Sequence, residues 1–386
     1  FRKEESNLPP DEQKKILILG GGFAGISVLQ QLQKIFKNNK NVKISLVNED
    51  NFFLFTPMLP EIASGIIHPS DISIPLRMFC KMKILSGQGV INRYENNLVA
   101  ITRTFDGKVK VLDYNYLVIA LGSATNYFGN KRIEKNSFTM KTIQDAIAIK
   151  SHVIHMMEIA DQEDDKAIRE KLMTFVVVGG GFAGVETIGE LNDFVRESAR
   201  HFYRNVDQDS IKMVLVSAKD GILPELDPDI AKSHGVITKS GIRIIPNTKA
   251  VDAGDDFVSL GNGETIPCST LIWTAGVTID SVVSSLDCEH NAGKVVVDSR
   301  LRVPKYENVF VLGDCAAITD TKTGNIYPPT AQHALRESRV VSHNLRAAIT
   351  GRGQDKEFNY ESKGMMAVIG KRTASHLSLD TRHQAL

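Results

Sequence analysis

The feature that most constrains this chain is an internal repeat. Lys15–Leu32 reads KILILGGGFAGISVLQQL and Thr174–Leu191 reads TFVVVGGGFAGVETIGEL, so the hexamer GGGFAG occurs twice. Each copy follows a short apolar run, Ile16–Leu19 or Phe175–Val178, and precedes an amphipathic helix pattern. Runs that are bulky and apolar on both faces suit strands buried in a parallel sheet. Gly20 permits a tight turn, Gly22 lets the backbone reach a pyrophosphate, and Gly25 allows helix and strand to approach closely. The helix that follows offers free N–H groups and the positive end of its dipole to phosphate. Phe23 and Ala24 complete this first loop. Gly179, Gly181 and Gly184, with Phe182 and Ala183, repeat the arrangement. One GxGxxG is a weak sign. Two, each between a strand and a helix, predict an α/β chain with two Rossmann-like dinucleotide-binding domains for two different nucleotides.

The strand after each loop should end where an adenosine ribose is held. Val42–Val47 (VKISLV) ends at Asn48-Glu49-Asp50, and Ile211–Val216 (IKMVLV) ends at Ser217, two residues before Lys219. NAD sites carry an acid at this place. Ser217 with Lys219 departs from that pattern and leaves NADPH open beside NADH. Tyr116–Gly122 (YLVIALG) and Thr270–Gly276 (TLIWTAG) are apolar strands running into small-residue turns. There Ala120, Gly122, Ala275 and Gly276 leave room for a cofactor. Val309–Asp314 (VFVLGD) is another buried strand, with Gly313 and Asp314 placed to hold a ribityl or phosphate group. The expected layout is one discontinuous domain, 15–120 and 277–350, interrupted by a second over 121–276, with 351–386 as a short C-terminal segment.

Composition narrows the function classes. A length of 386 residues, 42% hydrophobic and 24% charged, suits two folded domains rather than a disordered chain. Lys and Arg total 46 against 45 Asp and Glu, so the basic excess of a nucleic-acid partner is missing. Cys80, Cys268, Cys288 and Cys315 form no CxxC pair and no zinc spacing, which indicates a reducing compartment and no metal. The run Asp161–Asp165 lacks a calcium-loop pattern and reads as a solvated loop. No stretch approaches the roughly 20 apolar residues of a membrane span. Phe1–Gln13 reads as a loose leader.

In this order the segments resemble the type II NADH:quinone oxidoreductases, among the flavoproteins with two dinucleotide-binding domains. The resemblance runs from Lys15 to Arg372 and rests on LGGGFAG at Leu19, LFTPMLPEIASG at Leu54 and LVIALGS at Leu117. It continues in VVGGGFAGVETIGEL at Val177, WTAGV at Trp273, VLGDCAAI at Val311 and PPTAQHALRE at Pro328. The last departs from the family in one place, since Arg336 stands where a second Gln often occurs. The resemblance implies that Gly20, Gly22, Gly25, Gly313 and Asp314 bind FAD, with Thr56 and Pro57 beside its ring, and adds Val90 and Ala331 as cofactor-binding positions. Asn48 or Glu49 would take the ribose. Gly179, Gly181, Gly184 and Glu186 would hold the nicotinamide nucleotide, and Gln332 would sit at the ring near the quinone channel. The activity implied is hydride transfer from NAD(P)H to FAD, then two electrons to a membrane quinone without proton pumping. It further implies a peripheral enzyme on the cytoplasmic side of a membrane, seated by C-terminal amphipathic helices, and leaves a homodimer open. His376–Leu386 shows no convincing amphipathic anchor.

Bland readings stand beside these. Glu186 and Glu190, four apart on one helix face, either meet the nicotinamide and move protons or stabilise the helix as exposed charges. Gln332, His333 and Arg336 either line an acceptor pocket or are polar positions on a helix over the flavin. A disulfide reductase needs a reactive cysteine pair near the flavin, and Phe55–Gly65 contains none. Sulfide:quinone chemistry needs sulfur-trapping cysteines, and Cys268 and Cys288 have no evident partner. Two rivals of other classes remain: an NADH-linked redox switch acting through a partner, and a soluble reductase of a small electron carrier.

Overall fold

A computed structural model describes residues 13–79, 83–86, 97–223, 239–361, 364–368, 370 and 374–378. The elements that position the site run, in chain order, as β1 (Lys14–Leu19), α1 (Phe23–Ile35), β2 (Val42–Asn48), α2 (Leu59–Ala63), β3 (Lys83–Ser86) and β4 (Tyr116–Ile119). Next come β5 (Phe138–Thr139), α3 (Ile143–Gln162), β6 (Thr174–Val178), α4 (Phe182–Phe202), β7 (Lys212–Val216), β8 (Ile242–Ile245) and β9 (Thr270–Trp273). The last are β10 (Arg302–Val303), β11 (Tyr306–Val311) and α5 (Ala331–Thr350). The described residues fall into two compact units, within Phe1–Leu54, Ser73–Ala124 and Thr278–Glu361, and within Phe55–Ile72, Thr125–Val277 and Ser362–Leu386.

In the first unit the sheet order is β10-β11-β4-β1-β2-β3, parallel except for β10 against β11. Leu19 pairs with Val47 on one side and Ile119 on the other, so β1 ends between two neighbours that the chain reaches in opposite directions. That reversal opens a crevice beyond the strand's carboxyl end, where such sheets bind ligands. Ile16, Leu17, Ile18 and Leu19 are all buried, as a strand covered on both faces demands. α1 turns Ala24, Val28, Leu29 and Leu32 inward and packs against α5.

The second unit repeats the plan with β5-β9-β6-β7-β8, all parallel, and β6 holds the place of β1. Val178 pairs with Val216 and with Trp273. α3 begins at a capping box in which the Thr142 side chain accepts from the Asp145 N–H and the Asp145 carboxylate accepts from the Thr142 N–H. Two parallel sheets, each with a glycine loop at its central strand, are the two dinucleotide-binding folds that the repeat predicts.

The partition differs from the expected layout at two places. Phe55–Ile72 groups with the second unit, because α2 buries Leu59, Pro60, Ile62 and Ala63 and packs against α3 and α4. The strand Gly364–Val368 lies beside α4 and falls in the second unit as well. Residues 351–361 stay with the first, where Phe358 is buried and its N–H bonds Ser299 O at 2.6 Å.

Candidate functional site

The first glycine loop is tight where the sequence requires it and open where a ligand would need space. Gly20 has φ +103°, and a Cβ there would lie 2.1 Å from Ala120 O. A Cβ on Gly25 would lie 1.9 Å from Gly20 O, so only hydrogen lets α1 close onto the loop. A Cβ on Gly22, by contrast, would meet nothing within 4 Å. Gly22 is the N-cap of α1 and supplies no side-chain cap, so the first turn presents bare N–H groups. Open approach, uncapped donors and a positive dipole end together fit a pyrophosphate.

Asn48 closes this loop from β2. Its Oδ1 accepts the Gly21 N–H at 2.6 Å and its Nδ2 donates to Asp50 O at 2.9 Å, while Glu49 beside it is exposed. Phe23 turns instead to the core, its ring 5.1 Å from Phe53 in an edge contact. Ala120 is buried and Gly122, at φ +70°, has open space where its Cβ would be. Asp314 is half-buried, and its Oδ2 accepts from Ser123 Oγ at 3.0 Å. Val90 lies outside the described residues.

The second loop keeps the same physics with different neighbours. Gly179 has φ +130°, and Cβ atoms on Gly179 and Gly184 would lie 2.4 and 2.7 Å from Thr274 Oγ1. Gly181 caps α4 without a side-chain bond, leaving its first turn bare; Phe182 is half-buried and Ala183 exposed. Ala275 and Gly276 follow β9, Gly276 at φ +95° against the Phe128 ring.

Ser217, expected to meet a ribose, is engaged by its own turn. It is buried, its Oγ donates to Gly221 O at 2.6 Å and accepts the Lys219 N–H at 3.2 Å. A hydroxyl already committed to its own turn has little left for a nucleotide. Of that pair only Lys219 reaches solvent.

The acids separate by burial. Glu186 is half-buried on α4. Glu190 is buried, with its Oε2 accepting from Ser64 Oγ at 3.1 Å, which fastens the chain after α2 to α4; it is not an exposed charge. Thr56 and Pro57 sit exposed on the turn before α2. Glu61 carries a buried Oε2 with no hydrogen-bond partner among the described residues, and burial raises its pKa. It lies within LFTPMLPE, yet no spacing rule singled it out.

The N-terminal end of α5 gathers a polar and aromatic cluster in the first unit. Thr330 caps the helix, its Oγ1 accepting the His333 N–H at 3.2 Å and lying 2.7 Å from His333 Nδ1. His333 is buried, and burial first, then the Arg336 charge, lowers its pKa. Ala331 and Gln332 are half-buried, and Gln332 Oε1 accepts from the Tyr360 hydroxyl.

Glu337, one turn on, was not anticipated. It is 3% exposed, and its Oε2 accepts the Gly313 N–H at 2.6 Å, which ties α5 to the turn bearing Asp314. Burial, with a smaller push from Asp314, raises its pKa to about 7. Ala334, Glu337, Ser338, Val341 and Leu345 follow helical spacing and are all buried, so the stripe itself could have flagged an acid inside it.

The thiols are poorly suited to redox work. Burial pushes Cys268 and Cys315 up to about 12. Cys288 is half-buried and also raised by burial, and no disulfide joins the three. Among the described residues no group of His, Cys, Asp and Glu is arranged to hold a metal.

Two largely parallel sheets with pyrophosphate-type loops, and among the described residues no reactive thiol pair, define a class: nicotinamide-linked flavoprotein oxidoreductases built on two dinucleotide-binding domains. The model of the pyridine nucleotide-disulphide oxidoreductase family matches residues 14–338. A probable NADH dehydrogenase of Dictyostelium discoideum is 32% identical over 372 residues, covering 94% of this chain and 80% of that protein. A type II NADH:quinone oxidoreductase of Mycobacterium tuberculosis is 26% identical over 96% of this chain and 81% of its own length. In fold the chain is similar to the structure of NDH2 from Plasmodium falciparum in complex with NADH, at TM-score 0.87 and 20% identity over 95% of this chain and 90% of that one. The chain therefore belongs to the pyridine nucleotide-disulphide oxidoreductases, in their type II NADH dehydrogenase branch. Membership sets the class of chemistry, that of a flavin-dependent oxidoreductase.

Proposed function

We propose that the chain oxidises NADH and delivers two electrons to a membrane quinone, with FAD held by the first unit and the nicotinamide nucleotide by the second. The observation that carries this reading is the duplicated loop: two glycine turns of matching geometry, each feeding a helix whose first turn has no side-chain cap. FAD, when bound, supplies a ring that accepts hydride and releases electrons, which no side chain here can do.

The chain's own residues bind and orient. Gly20, Gly22 and Gly25 admit the flavin pyrophosphate to the N–H groups of α1. Asn48 retains one Nδ2–H for the adenosine ribose, with Glu49 beside it as an acceptor. Asp314, steadied by Ser123, takes the ribityl hydroxyls, and Gly313 and Ala331 keep side-chain bulk low around it. Gly179, Gly181 and Gly184 serve the nicotinamide nucleotide in the same way, Glu186 is offered to its nicotinamide end, and Glu190, which accepts from Ser64, takes part in proton traffic. Gln332 serves the quinone. Among the described residues no helix is long and apolar enough to cross a membrane; in this reading the enzyme meets its quinone as a peripheral protein.

The deciding experiment is anaerobic titration of the purified yellow protein. NADH should bleach the flavin absorbance, and a soluble quinone should restore it in near one-to-one proportion. A reduced flavin that persists with every quinone would favour the redox-switch reading. Reoxidation by a small iron protein alone would favour the carrier reductase.

A further inference from the structure

The α5 cluster contains a residue that the chain delivers from 28 positions further on. Tyr360 donates its hydroxyl hydrogen to Gln332 Oε1. Arg336, one turn from Gln332, does two things: its Nη1 donates to the Gln332 main-chain oxygen at 3.2 Å, and its Cζ lies 4.4 Å above the Tyr360 ring. Tyr360 is held independently of its hydroxyl, since its N–H donates to the Tyr327 hydroxyl at 3.3 Å. Its ring also stands edge-on to His333 at 5.4 Å. Gln332 is thus fixed at its backbone by one neighbour and at its amide by another.

The chemistry of an amide gives this clamp a consequence. A carboxamide has an accepting end and a donating end, and they differ by a half-turn of one torsion. A quinone carbonyl can only accept. An amide free to turn would present its oxygen to that carbonyl part of the time, two acceptors face to face. A hydroxyl donating to Oε1 disfavours that orientation, because turning the amide over would take from the phenol hydrogen its acceptor on Gln332. A guanidinium over the phenol ring favours the arrangement, because a cation there draws electron density and strengthens the O–H as a donor.

We infer that Tyr360 is the positioning residue of the acceptor site, orienting Gln332 so that its N–H end meets a quinone carbonyl, with Arg336 holding both partners in place. Arg336 stands where the family resemblance leads one to expect a second glutamine, and here it braces the first. This inference rests on the quinone reading above.

Stopped-flow measurement of the two half-reactions tests it. Tyr360→Phe keeps the ring, and with it the contacts to Arg336 and His333, and removes only the donor. Flavin reduction by NADH should proceed at the wild-type rate. Reoxidation by a soluble ubiquinone analogue should slow about tenfold, the effect of losing one hydrogen bond that matters in the reacting complex. In a Gln332→Ala background the same substitution should have no further effect, which a general loosening of the fold would not reproduce. Gln332→Glu supplies a second route: the carboxylate can still accept from Tyr360 but cannot donate, so its reoxidation should be slow too. Normal reoxidation in Tyr360→Phe, or an equal effect with and without Gln332, overturns the inference alone. A wild-type reduced flavin that no quinone reoxidises overturns the quinone reading, and this inference with it.

Discussion

Two glycines three residues apart carry opposite constraints. Gly25 is glycine because the fold needs it, since any Cβ would sit 1.9 Å from Gly20 O. Gly22 has no such neighbour and an ordinary extended backbone, so the fold alone would accept a side chain. Gly25→Val should destabilise the flavin-free protein by about 1–3 kcal/mol or more, read by thermal melting. Gly22→Val should leave that melting within about 1 kcal/mol, the scale of a changed helix cap, yet abolish FAD retention. A Gly22→Val protein that purifies with a full complement of FAD would remove the pyrophosphate role from this loop. Ser217 shows the limit of reading single residues. Its place after β7 suggested a ribose contact, but whether a hydroxyl faces a ligand depends on what its own turn requires of it.

At the level of elements, α5 does two jobs from one helix. Its first turn carries Gln332, and its buried stripe carries Glu337, bonded to the Gly313 turn. The folded pKa of Glu337, about 7, lies above its ordinary 4.5. Between those values the folded chain holds a proton that the unfolded chain has released. The stabilisation that this proton gives is complete below about pH 4.5 and is lost as pH rises through about 7, a difference of about 3 kcal/mol. Glu337→Gln keeps an oxygen for the Gly313 N–H and removes the titration. Urea melts of this variant should therefore fall less steeply between about pH 5 and pH 8, and should exceed the wild type at the upper end. Identical slopes would mean that Glu337 titrates normally in the fold.

For the whole molecule, the three described cysteines lack the paired, low-pKa thiols that disulfide reduction needs. Cys268 and Cys315 are buried with their thiols raised to about 12, and Cys288 is half-buried and raised. Treatment with iodoacetamide under native conditions should leave NADH-driven quinone reduction within about twofold of the untreated enzyme, because the attacking species is thiolate. Inactivation that NADH accelerates would instead reveal a cysteine exposed by flavin reduction.

The sequence by itself determined the class of fold and the two loops. A strand buried on both faces must be apolar throughout, and a turn that brings backbone against backbone admits only glycine, so GGGFAG after KILIL or TFVVV has few other uses. These are local requirements, written in consecutive residues. Only the tertiary structure decided which side chains were free to act. Asn48 is spent partly on Gly21, Ser217 wholly on its turn, and Glu190 on Ser64, 126 positions away. Tyr360 meets Gln332, and Glu337 meets Gly313, through segments that no periodicity links. A hydrogen bond depends on a few tenths of an ångström between groups remote in the chain, and spacing along a sequence holds no record of that distance.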